Sequence, residues 1–117
     1  TNTPLQALAL LNEVAFVEAA RNLAQQMLQY KTKNDADRLR WGWRQLTARY
    51  PNKFELAVLK KMLAASRTQY KTDIESAKEL IAFGESVAST EFCSEELAAF
   101  TIVANLILNL DEVINRE

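Results

Sequence analysis

The sequence predicts an all-α fold, a compact bundle of about five helices, and three observations carry that reading. Alanine and leucine supply 33 of the 117 residues, while glycine and proline contribute two each. Ala and Leu head the helix scale and Gly and Pro close it, so this composition disfavours turn-rich β architecture. Apolar residues recur at spacings of three and four through most segments, and capping residues stand where those segments begin. A hydrophobic share of 49% is enough for a core, and the length suits one domain spanning residues 1–117.

The first helix is expected over residues 4–30. Thr3 caps it, Pro4 fits its first position, and Gln6 completes a capping box. Glu18, Arg21, Asn22, Gln25 and Gln29 give its second half a polar face, whereas residues 4–17 are apolar in nearly every direction. An all-round apolar helix is normally covered on all sides. Asn34 or Asp35 caps a second helix over 35–49, with Leu39, Trp43, Leu46 and Tyr50 as its inward stripe. Pro51 stops it by disfavouring the α conformation at Tyr50. Asn52, with Glu55 three residues on, caps a third helix over 53–71, whose buried side reads as Phe54, Val58, Leu59, Met62, Leu63 and Tyr70. A cap at Thr72-Asp73 opens a fourth over 73–83 carrying Ile74, Ala77 and Ile81, and Gly84 stops it. A loop over 85–93 leads to Ser94-Glu95-Glu96, where acidic charge favours the start of a fifth helix over 95–111. The first and fifth helices are expected to be central.

The residues that are missing narrow the chemistry. With no histidine, the Ser-His-Asp and Cys-His arrangements and every His-containing metal site are excluded from these residues. Two isolated glycines build no phosphate-binding loop, and the lone Cys93 makes no internal disulfide. No membrane span is expected: the longest apolar run, Leu97 to Leu110, is interrupted by Thr101, Asn105 and Asn109. The sequence has neither an initiator Met nor a basic-then-apolar leader, and reads as a piece of a longer chain.

Charge is segregated behind a net value of −1. Residues 31–71 hold eleven Lys/Arg against three Asp/Glu, a net of +8, and residues 72–117 hold two against ten, a net of −8. Within the basic block, Arg38, Arg40, Trp41 and Arg44 form a candidate basic–aromatic surface for a polyanion. The favoured reading is that the basic second and third helices pair with the acidic fourth and fifth, each exposed pair contributing less than about 1 kcal/mol. Nucleic acid is not expected as a partner. Thr101, Asn105 and Asn109 share one lane of the fifth helix. That lane is either its solvent side or, with Asn12, a set of buried polar groups that fixes helix register. The apolar start of the first helix, with Leu10, Leu11 and Val14, is expected to pack inside the bundle or against a second copy.

The opening Thr1-Asn2-Thr3-Pro4-Leu5-Gln6-Ala7-Leu8, its continuation Leu10-Leu11-Asn12-Glu13 and Phe16-Val17-Glu18-Ala19-Ala20-Arg21 resemble a known signature. So do Gly84-Glu85-Ser86, Glu96-Leu97-Ala98-Ala99-Phe100-Thr101 and Leu108-Asn109-Leu110-Asp111-Glu112. Together they resemble the C-terminal portion of the planctomycete-type domain of unknown function (planctomycete-specific domain one). Phe100 stands where that family more often has Trp. The resemblance implies a large secreted or periplasmic parent protein, often with a cytochrome c-like haem domain upstream. It carries over no catalytic, cofactor-binding or metal residue, so any haem is placed outside this chain. The resulting expectation is a non-catalytic helical module with a structural or docking role, whose partners are the upstream domains. The alternatives are a part of an enzyme or electron-transfer protein whose site lies mostly upstream and, more weakly, a polyanion-binding module.

Overall fold

Local capping chemistry starts three of the helices. Asn34 accepts a hydrogen bond from the Asp37 amide at 2.8 Å, and Asp73 accepts from the Ser76 amide at 3.1 Å. At Asn52 the capping box is reciprocal: its side chain accepts from the Glu55 amide at 2.8 Å, and Glu55 accepts from the Asn52 amide at 2.9 Å. Each cap satisfies amides that a helix end otherwise leaves without partners.

The computed structural model describes residues 14–83 and 91–115. Their elements are α1 (Val14–Gln29), α2 (Asp35–Thr47), α3 (Lys53–Thr72), α4 (Ile74–Ala82) and α5 (Ser94–Asn115). This is an all-α bundle, as the composition predicted. α5 touches each of the other four and meets α1 most extensively, so α5 is the hub and α1 its main partner. Every residue from Leu97 to Ala104 is buried, which explains why this helix is apolar nearly all round. The main core gathers Leu23 and Met27 of α1, Trp43 of α2, Leu63 of α3, and Phe100 and Ile107 of α5. A second cluster joins α4 to the bundle through Ala77 and Leu80, packed with Val17, Tyr70 and Ile102.

Several expectations are corrected. α2 ends at Thr47, two residues early, because Ala48 takes a left-handed conformation (φ 62°) and its amide closes on the Arg44 carbonyl. The chain has therefore left the helix before Pro51 acts. Tyr50 is 58% exposed rather than part of the inward stripe, and Phe54 at 77% and Val58 at 38% lie outside the core of α3. Ile74 is exposed, and Leu80 takes the buried place on α4. Arg21, read as part of a polar face, is buried because its guanidinium donates to the carbonyls of Ile81 (2.6 Å), in the last turn of α4, and of Phe83 (3.2 Å), which caps that helix. There a cation meets the negative end of the helix dipole. α5 runs on to Asn115. The capping box at Thr3, the stop at Gly84, Asn12, Leu10, Leu11 and the side chain of Val14 lie outside the described residues.

Candidate functional site

Three residues of the candidate basic–aromatic surface come together. Arg40, Trp41 and Arg44 occupy neighbouring positions on α2, and Tyr30 and Tyr50 flank them across an open cleft of about 570 Å³. Each group is already engaged within the molecule. Trp41 stacks on Tyr30 with ring centroids 5.3 Å apart, and Arg40 pairs with Asp37 at 3.0 Å. Arg44 donates to the Tyr50 hydroxyl at 2.7 Å and lies 4.7 Å from that ring's centroid. Arg38 belongs elsewhere, donating to Asp35 and to the Thr32 carbonyl. Trp43 is buried in the core, so the two tryptophans of α2 do different work.

The charge blocks do not neutralise one another in the expected way. Most ion pairs among the described residues close inside a block: Arg38–Asp35, Arg40–Asp37, Arg49–Glu55 and Arg67–Asp35 in the basic one, Lys78–Glu75 in the acidic one. Arg67 bridges the two. It makes paired hydrogen bonds to Asp35 (2.6 and 3.2 Å) and to Glu96 (2.8 and 2.8 Å). Those carboxylates stand in the first turns of α2 and α5, where helix dipoles also favour them. The Arg67 hydrogen bonds hold the Asp35 carboxyl below its ordinary range, and both carboxylates raise the Arg67 guanidinium above its own.

Buried polar groups line the interior rather than a cleft. Thr101 is buried, and its hydroxyl donates to the Leu97 carbonyl at 2.6 Å, one turn back along α5. Asn105 is only 8% exposed, and its Nδ2 has no hydrogen-bond partner among the described residues; Asn109 is half-buried. The lane is thus not the solvent side of α5 at its first two positions. On α3, Ser66 and Tyr70 turn inward hydroxyls that have no partner among the described residues, and burial pushes the Tyr70 phenol up to about 12. Among the described residues no three His, Cys, Asp or Glu side chains cluster as a metal site.

A second surface was hidden from sequence reading. Phe54 and Val58 of α3 face Leu106 and Leu110 of α5 across an apolar groove of about 330 Å³, with Trp43 among its lining residues. Phe54 and Val58 read as core because helical spacing marks the inward face without showing where the covering helix lies. The groove joins residues about fifty apart in sequence, so no local motif announces it. No described helix is long and apolar enough to cross a membrane.

No curated protein and no solved structure matches the chain. The family model described as PSD1, protein of unknown function (DUF1553), matches residues 1–63, more than half of the sequence and the part that supplies α1, α2 and the first half of α3. The chain belongs to this planctomycete-type family of proteins of unknown function.

Proposed function

We propose that the chain is a non-catalytic helical docking module of a larger secreted or periplasmic protein, holding a neighbouring segment of that protein in the α3–α5 groove. The apolar groove carries the reading: exposed Phe54 and Val58 stand on its α3 side and half-buried Leu106 and Leu110 on its α5 side, and contiguous apolar surface of this kind marks interaction sites. The strongest charged groups have structural occupations: Arg67 clamps α2, α3 and α5, and Arg21 holds the end of α4. In this reading the upstream domains are the partner, and any haem is bound there.

Hydrogen exchange on the full-length parent and on the 117-residue chain tests it. The amides around Val58 and Leu106 are expected to exchange more slowly in the parent, and Phe54→Asp to remove the difference while leaving the helical spectrum intact. Equal exchange in both proteins sinks the docking role. Slow exchange centred on the Arg40–Trp41–Arg44 cleft instead moves the contact to the basic surface.

A further inference from the structure

We propose that the segment docking in the α3–α5 groove is an amphipathic helix whose flanks carry carboxylates. This rests on the docking reading and names the chemistry of the partner. Phe54 and Val58 are four residues apart on α3, and Leu106 and Leu110 are four apart on α5. Each pair is therefore a row along its own helix. Two apolar rows with a hollow between them accept the side-chain ridge of a further helix. Phe54 stands on the rim of that hollow, while Leu106 and Leu110 are half-buried in its α5 wall.

Charge on the outer bank sets the polarity of the occupant. Lys53 adjoins Phe54, and Lys61 follows Val58 by three residues on the same exposed face, with Lys60 beside it. None of the three has an ion-pair partner among the described residues. The acid on this bank does not offset them. Glu55 is held by two Arg49 hydrogen bonds, both 2.9 Å, and by the Asn52 amide. A second copy docking through the same face sets lysines against lysines, which is repulsive. A helix bearing Glu or Asp beside its apolar stripe pairs with them instead.

The test uses two labelled peptides of about 18 residues, long enough to form helix on docking, with the same leucine stripe and either Glu or Lys at the flanks. Anisotropy against the 117-residue chain is expected to show the Glu peptide binding at least about tenfold tighter at low salt. The gap should shrink at about 1 M salt, where screening acts over roughly 3 Å. Exchanging Lys53, Lys60 and Lys61 together for Glu should reverse the preference, and Phe54→Asp should weaken both peptides. Equal affinities, a preference for the Lys peptide, or binding of neither overturns the proposal. So does Phe54-dependent binding to phosphatidylglycerol vesicles in place of the peptides, which makes the strip a membrane contact. Slowed exchange in the parent, with no discrimination between peptides, overturns this inference alone; absence of that slowing overturns the docking reading itself.

Discussion

Gly42 shows how a single residue sets the distance between α1 and α2. A methyl group there would lie 2.6 Å from Met27 Sδ, in a fully buried part of the core. Glycine inside a helix costs roughly 1 kcal/mol relative to alanine, so its presence mid-helix calls for a packing reason, and Met27 supplies one. Gly42→Ala recovers that propensity but overpacks the interface, which typically costs about 1–3 kcal/mol. The expected net is a destabilisation of about 1 kcal/mol in urea unfolding, an increment that vanishes when Gly42→Ala is made in a Met27→Ala background, which is itself destabilised by loss of the buried side chain. A Gly42→Ala protein as stable as the parent would mean that Met27 swings aside freely. Arg21 shows the opposite case, a residue whose polarity points the wrong way in sequence. Its partners lie about sixty residues along the chain, at Ile81 and Phe83, and nothing local to Glu18–Gln25 announces them.

At the level of elements, helix starts were legible and helix faces only partly so. Asn34, Asn52 and Asp73 were readable because a cap is a contact between residues three apart. The end of α2 was misplaced because an alanine in the left-handed region carries no compositional signal. Replacing Ala48 with Gly removes that backbone cost and is expected to add about 1 kcal/mol of stability, read as a raised unfolding midpoint. No change would show that the conformation at Ala48 costs nothing. The start of α3 carries a pH signature. The Arg49 hydrogen bonds, aided by the Asn52 amide, lower the Glu55 carboxyl from its ordinary 4.5 to about 2. A carboxylate with a depressed folded pKa stabilises the fold above its unfolded pKa, and that contribution fades as pH falls from about 4.5 to 2. Arg49→Met should therefore flatten the acid limb of the stability profile across that window and leave the fold's cooperativity unchanged. An unaltered limb would assign the acid sensitivity to other carboxylates. Independently, Asn52→Ala should cost about 1 kcal/mol at neutral pH by removing the other half of the box.

For the whole molecule, the informative relation is that of α5 to everything else. Its apolar composition was visible in sequence, and so was the clustering of Arg40, Trp41 and Arg44, because each belongs to one helix. The groove and the Arg67 clamp were not, because they join residues of separate helices whose contacts no helical period encodes. With α5 packed on α1, α2, α3 and α4, its side chains are shared by both apolar clusters: Phe100 and Ile107 in one, Ala98 and Ile102 in the other. Neither cluster can lose α5 and keep its own burial. The bundle should then unfold as one unit, with Trp43 fluorescence, read in a Trp41→Phe background, and far-UV helix signal tracing the same urea transition. Phe100→Ala removes a fully buried ring at the centre of that hub and leaves Arg67 without the aromatic face 5.6 Å from its guanidinium. The expected cost is about 3–5 kcal/mol, moving both signals to lower denaturant together. If the helix signal instead keeps part of its amplitude after Trp43 is exposed, α4 and its cluster stand independently of the main core, and the hub description of α5 fails.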